Sequence, residues 1–130
     1  MKTHTLFRLL ILATTFCFAF HMQAQELRPG SLVVAGYNSD NPDEFCLLAL
    51  DTLPADTTLY ITDNGWDNSA FRDSEGILVW SLPDTLIPAG HLLCFNLDGE
   101  GSLTAGTLSF DPRKPSLSAS GDQLLIYAGT

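Results

Sequence analysis

The sequence predicts an all-β domain, either a sandwich or a barrel, and three observations carry this prediction. The chain is made of short apolar runs, these runs are rich in β-branched and aromatic residues, and Gly, Pro, Asn and Asp separate them. None of the runs repeats with the period of an amphipathic helix. Short strands with turn signals between them are typical of sandwiches and barrels.

The predicted strands, in chain order, are residues 32–37, 45–50, 58–62, 76–81, 91–97 and 123–128. The second is apolar throughout, which predicts a central strand covered on both sides. The third alternates with the two-residue period of a strand that has one wet face. In the fifth, the strongly apolar face begins at Leu93 and includes Phe95. The residues predicted to be buried are Leu93, Phe95, Leu59, Ile61, Val33 and Trp80.

Residues 1–24 have the three parts of an export signal. Lys2 and Arg8 give a positive start, residues 9–20 are apolar, and residues 22–24 form a small-residue cleavage site. The apolar run is shorter than the roughly 20 residues that a membrane span needs. We therefore expect a cleaved signal peptide over 1–24, a single domain over 25–130 without a membrane span, and a secreted or cell-surface location.

Charge restricts the partners of residues 25–130. Without Lys2 and Arg8, four basic residues stand against 15 acidic ones, which gives a net charge of −11. Such a surface repels nucleic-acid backbones and anionic membranes. The expected partner is a protein or a glycan at the cell surface.

Four motifs occur in an order that resembles the lamin-tail type of immunoglobulin-like domain. They are residues 31–50, 59–66 (LYITDNGW), 87–93 (IPAGHLL) and 117–124 (LSASGDQL). The resemblance implies an immunoglobulin-like antiparallel β-sandwich. Bacterial members of this family are commonly modules of exported proteins, including large hydrolases and nucleases, in which the module is not the catalyst. The family usually continues with further strands where this chain stops, which implies an unpaired last sheet edge or a piece of a longer protein.

Catalytic residue sets are absent from the sequence after residue 24. His91 is the single histidine left, and it begins a strand after a turn, where an exposed, ordinary histidine is expected. One His and two Cys give no zinc-ligand spacing. No Gly-rich loop joins a strand to a helix to hold phosphate. We therefore expect no enzymatic activity.

Cys46 and Cys94 leave two interpretations open. An even number of cysteines in an exported chain favours a disulfide. The alternation of residues 91–97, however, places Cys94 on the face opposite Leu93 and Phe95, away from a bridge across the core. On this ground two separate, semi-buried thiols are the favoured prediction.

Acidic residues concentrate in the loops 38–43, 63–75 and 98–106. Because successive antiparallel strands reverse direction, these alternate loops are predicted to meet at one pole of the sandwich. Oxygen ligands from three loops suit Ca²⁺. The candidate calcium ligands are Asp40, Asp43, Asp63, Asp67 and Asp98. The alternative is that these side chains cap their own turns.

Trp66 lies in the same group of loops, with Phe71 and Tyr37 near it in sequence. An exposed Trp beside Asp and Asn can stack on a sugar ring, which makes Trp66 a candidate ligand-binding residue. The alternative, which we favour from the sequence, is that Trp66 folds back and plugs the open end of the sandwich. The functional hypotheses are a non-catalytic binding or structural module, a calcium-dependent glycan-binding domain, and an accessory module of a larger secreted hydrolase.

Overall fold

The computed structural model describes residues 26–129 as two antiparallel four-stranded sheets packed face to face, which confirms the β-sandwich prediction. The strands are Leu32–Ser39 (β1), Asp43–Ala49 (β2), Thr58–Thr62 (β3), Trp66–Asp67 (β4), Ala70–Phe71 (β5), Ile77–Ser81 (β6), Leu92–Asn96 (β7), Ser102–Leu103 (β8), Thr107–Phe110 (β9) and Leu125–Ala128 (β10). The first sheet has the order β1-β2-β7-β8 and the second the order β10-β3-β6-β9. Strands β4 and β5 form a separate hairpin. The predicted signal peptide and Thr130 lie outside the described residues, and within 26–129 no helical segment could span a membrane.

The core lies between the sheets and is built from every second residue of the central strands. Phe95 of β7 stacks on Phe45 of β2, with ring centroids 4.7 Å apart. Its ring also meets Trp80 of the opposite sheet edge-on at 5.1 Å. The Trp80 Nε1–H donates to the Ala105 carbonyl at 2.9 Å, so this buried indole is satisfied. The predictions of burial for Leu93, Phe95, Leu59, Ile61 and Trp80 are confirmed.

The predicted burial of Val33 is wrong. Val33 is paired with Leu48, whereas its neighbour Val34 is paired with the buried Leu47. Directly opposed residues of an antiparallel pair share a face, so Val33 points away from the core, and it is 43% exposed. Four consecutive apolar residues (LVVA) begin this strand, and because they do not alternate with polar ones, the sequence alone does not identify the inward face. The expectation that 45–50 is covered on both sides also fails, because only alternate residues of β2 are buried.

Cys46 and Cys94 form a disulfide, which corrects the prediction of two separate thiols. The predicted direction of Cys94, away from the core, is right, since Leu93 and Phe95 on either side are buried. The conclusion drawn from it is wrong because Cys46 points the same way and is directly opposite Cys94 on the neighbouring strand. The bridge therefore joins two strands of one sheet on its outer face. A disulfide of this kind is typical of an oxidising, extracellular environment.

Candidate functional site

The loops that follow β1, β3 and β7 meet at one pole of the sandwich, which we call the acidic pole. A crossing segment, residues 113–117, runs over this pole and is held by both sheets. The Asp43 carboxylate accepts a hydrogen bond from the Leu117 amide at 2.9 Å, and Asp63 accepts one from the Ser116 amide at 3.0 Å. The Lys114 ammonium donates to the Leu97 carbonyl. Leu117 is buried, so this segment closes the end of the sandwich, the role that the sequence had favoured for Trp66.

The five candidate calcium ligands do not form a group of metal ligands in the described part of the chain. Between residues 26 and 129, no three Asp, Glu, His or Cys side chains are arranged to hold a metal ion. Asp43 and Asp63 instead cap backbone amides of the crossing segment. These hydrogen bonds join residues 74 and 53 positions apart in the chain, so they differ from the local turn capping that was the alternative from the sequence. Calcium binding by Asp40, Asp43, Asp63, Asp67 and Asp98 therefore stays a prediction without geometric support.

Asp63 and two further acidic residues at the acidic pole, Glu75 and Asp122, are near enough for their charges to affect one another's pKa; we call these three the carboxylate cluster. Asp63 is buried, and its Oδ1 has no hydrogen-bond partner. Burial and, to a lesser extent, the charge of Asp122 raise the pKa of Asp63 above its ordinary 3.8, against the hydrogen bond from Ser116. Desolvation and the charges of Asp63 and Asp122 raise the pKa of Glu75, while Arg72 opposes the rise. The cluster thus resists full ionisation.

We expect Asp63 to make the domain less stable as the pH rises. A carboxyl whose pKa is higher in the folded state favours folding most when protonated, and this contribution is lost as the pH rises from about 3.8 through the folded pKa. Urea unfolding of wild type and Asp63→Asn between about pH 4 and pH 7 checks this, because the variant should gain stability relative to wild type as the pH rises. Asp84→Asn, at the opposite pole, is the control. Parallel stability curves for wild type and Asp63→Asn would contradict the expectation.

Trp66 is displayed on the β4–β5 hairpin and is 57% exposed, so it does not plug the sandwich. The hairpin turns through Asn68, which has a left-handed φ of 54°. The Arg72 amide donates to the Gly65 carbonyl at 2.9 Å and closes the base of the hairpin. A Cβ atom at position 65 would lie within 3.5 Å of the Gln123 and Arg72 side chains. Because Gly65 has no side chain, Gln123 and Arg72 can pack against the backbone there.

Four rings form an aromatic strip that fixes the hairpin to the outer face of the second sheet. Trp66 meets Phe71 edge-on at 5.0 Å, Phe71 stacks on Tyr127 at 5.0 Å, and Tyr127 stacks on Tyr60 at 5.4 Å. Tyr60 and Tyr127 are directly opposed on β3 and β10. Each aromatic contact adds about 0.5–1.5 kcal/mol beyond the area that it buries. Trp66 therefore rests on a continuous row of packed rings, at the end of the strip that is largely exposed.

The two tyrosines that support Trp66 through Phe71 could not be identified from the sequence. Tyr60 and Tyr127 were in predicted strands but were not connected to it, because their contact depends on β10 pairing with β3. Asp122 was part of a turn motif, and the same pairing brings it to the carboxylate cluster. The one sequence feature that pointed to this support was the position of Tyr60 on the solvent-facing side of its strand. His91, as expected, is exposed.

Comparison of the chain with protein-family models, with curated proteins and with solved structures found no match.

Proposed function

We propose that this chain is a non-catalytic binding module of a secreted or cell-surface protein, and that Trp66 is its main ligand contact. The observation that carries the proposal is a largely exposed Trp held by a stack of three further rings. A large exposed aromatic with a fixed orientation loses little entropy on binding and is typical of binding anchors. The resemblance to lamin-tail-type domains of exported proteins supports the same role, as does the disulfide.

The surroundings of Trp66 favour a neutral glycan as the ligand. Asp67 and Asn68 follow it in the hairpin, and Glu75, which is exposed like both of them, lies just beyond the hairpin base. Carboxylates accept hydrogen bonds from sugar hydroxyls, and side-chain amides both donate and accept them. An indole face covers the apolar face of a sugar ring. The net charge of residues 25–130 disfavours polyanionic glycans.

Trp66→Ala should weaken binding to a neutral polysaccharide by at least about tenfold, equivalent to about 1.4 kcal/mol. The reason is that truncation removes the largest exposed aromatic surface of the hairpin. Affinity electrophoresis of the exported protein through gels that contain soluble glucan, mannan or xylan measures the effect, and alginate serves as the acidic comparison.

Leu86→Ala is the matched control, because Leu86 is 58% exposed and lies in a loop at the pole opposite the hairpin. Its retardation should equal that of wild type. Wild-type protein that no neutral polysaccharide retards would overturn the glycan proposal. Equal losses of polysaccharide binding in Trp66→Ala and Leu86→Ala would overturn the assignment of Trp66 as the main contact.

A further inference from the structure

The Cys46–Cys94 disulfide lies on the outer face of the first sheet, where solvent reaches it. Both cysteines are partly exposed, whereas the residue on either side of each one is buried. A groove of about 410 Å³ opens on this face, and both cysteines line it. The crosslink is therefore part of the surface of the folded domain.

No side chain of β1 stands beside Cys46. The residue paired with Cys46 on β1 is Gly36, where an added Cβ would lie 3.7 Å from the Cys46 Cβ. Directly opposed residues share a face of the sheet, so a larger residue at position 36 would project next to Cys46. On the other side of the bridge, the Thr104 hydroxyl accepts a hydrogen bond from the Cys94 amide at 2.9 Å. Cys46 is thus the cysteine that a reagent can approach over the neighbouring strand.

Glu44 places a negative charge near the disulfide. It lies two residues from Cys46 on the same face of β2 and lines the same groove. Two residues along a strand span about 7 Å. Within residues 26–129, no Lys, Arg or His lines this groove. Because a charge within the Debye length of about 8 Å is incompletely screened, Glu44 repels an anion that approaches the sulfurs.

The pairing of β2 with β7 does not depend on the bridge. The two strands are in register from Glu44–Asn96 to Leu48–Leu92, and the cysteines form the middle pair. The inner face of both strands is buried in the core. A crosslink acts mainly by restricting the unfolded chain, so the folded sheet keeps its contacts when the S–S bond opens.

We propose that this disulfide is a thiol-exchange site, which small thiols open in the folded domain and which those carrying an ammonium group open fastest. The thiolate of one molecule attacks Sγ of Cys46. A new S–S bond forms, the Cys46–Cys94 bond breaks, and Cys94 leaves as a thiolate. A second thiolate attacks the small-thiol sulfur of this mixed disulfide and releases Cys46 as a thiolate. The two small thiols are oxidised to their own disulfide, and both cysteines are reduced.

The dependence of the rate on urea distinguishes exchange in the folded state from exchange after unfolding. The exported protein is incubated with cysteamine in several urea concentrations below the unfolding transition, and samples are quenched with iodoacetamide. Peptide mass spectrometry then follows the appearance of alkylated Cys46 and Cys94. The rate should be the same at each urea concentration. A rate that rises at least about fivefold per molar urea would follow global unfolding and would overturn the proposal.

Gly36→Val tests the route of attack, because the valine would stand beside Cys46. Exchange with cysteamine in the absence of urea should slow by at least about threefold, since access to the sulfur limits the rate. Val34→Ile, on the opposite face of the same strand, is the control and should exchange at the wild-type rate. Urea unfolding verifies that each variant is folded. An unchanged rate in folded Gly36→Val would overturn the attack on Cys46.

Glu44→Gln tests the preference for an ammonium group and keeps an oxygen that can accept the hydrogen bond from Asn96. Cysteamine and 3-mercaptopropionate are of similar size and carry opposite charges. The ratio of their exchange rates should fall by about threefold in Glu44→Gln. The pKa and nucleophilicity of the two thiols cancel, because the same thiols are compared in both proteins. Asp84→Asn should keep the wild-type ratio, and an unchanged ratio in Glu44→Gln would overturn the preference.

Discussion

Replacement of both Cys46 and Cys94 by Ala is expected to lower the free energy of unfolding by about 4 kcal/mol, because the bridge closes a loop with a sequence separation of 48 residues. By the chain-entropy account, the crosslink acts mainly by restricting the unfolded chain. The two cysteines are already opposite each other in paired strands, so the folded state makes the bridge without rearranging the sheet. A domain of this size has a total stability of only about 5–15 kcal/mol. The loss is therefore a large part of what holds it folded.

Urea unfolding of the oxidised protein, the protein in dithiothreitol and the double variant measures this contribution. Wild type in reductant should unfold at the same midpoint as Cys46→Ala/Cys94→Ala, and the double variant should not respond to reductant at all. Thiol titration of the unfolded oxidised protein should find no free Cys46 or Cys94. Two free thiols per chain in protein recovered from an oxidising compartment would contradict the bridge.

The sequence was sufficient for the long strands and insufficient for the short ones. All six predicted segments overlap strands of the sandwich, because each has enough apolar or alternating residues to show its pattern. Strands β4, β5 and β8 have two residues each, which is too few for any periodicity. Strand β9 has four and was missed as well.

Predictions that depended on pairing between strands were the least accurate. Local alternation placed Cys94 on the right face, but only the register of β2 against β7 shows that Cys46 is opposite it. The meeting of the acidic loops at one pole follows from strand direction and was predictable. The hydrogen bonds by which Asp43 and Asp63 hold the crossing segment were not predictable, because Leu117 is 74 residues from Asp43 in the chain.

The position of Trp66 at the candidate site was also mispredicted, because it depends on contacts between strands that are distant in the sequence. From the sequence, the area that a Trp can bury favoured a position over the end of the core. In the structure, Phe71 and the tyrosines of β3 and β10 give its ring a support outside the core. Leu117 and the rest of the crossing segment close the end instead.

Phe95→Ala is expected to cost about 3–5 kcal/mol, because it removes a buried ring and leaves a cavity that the neighbours fill only in part. Phe95 contacts Phe45 in its own sheet and Trp80 in the opposite one, so the cavity would lie at the junction of the two sheets. Trp80 is held by its hydrogen bond to Ala105 and cannot move freely into the space. Phe95→Leu, which keeps part of the volume, should lose less and remain measurable if the Ala variant is largely unfolded.

Leu92→Ala is the control for Phe95→Ala, since Leu92 belongs to the same strand but is exposed on the outer face of the sheet. Surface substitutions of this kind usually change stability by no more than about 0.5 kcal/mol. Urea unfolding with the disulfide intact should therefore rank the variants as Leu92→Ala, Phe95→Leu and Phe95→Ala, in order of increasing loss. A loss for Leu92→Ala as large as that for Phe95→Ala would mean that the two faces of β7 are exchanged. A one-residue shift in the register of β7 would have that effect, because side chains alternate between faces along a strand.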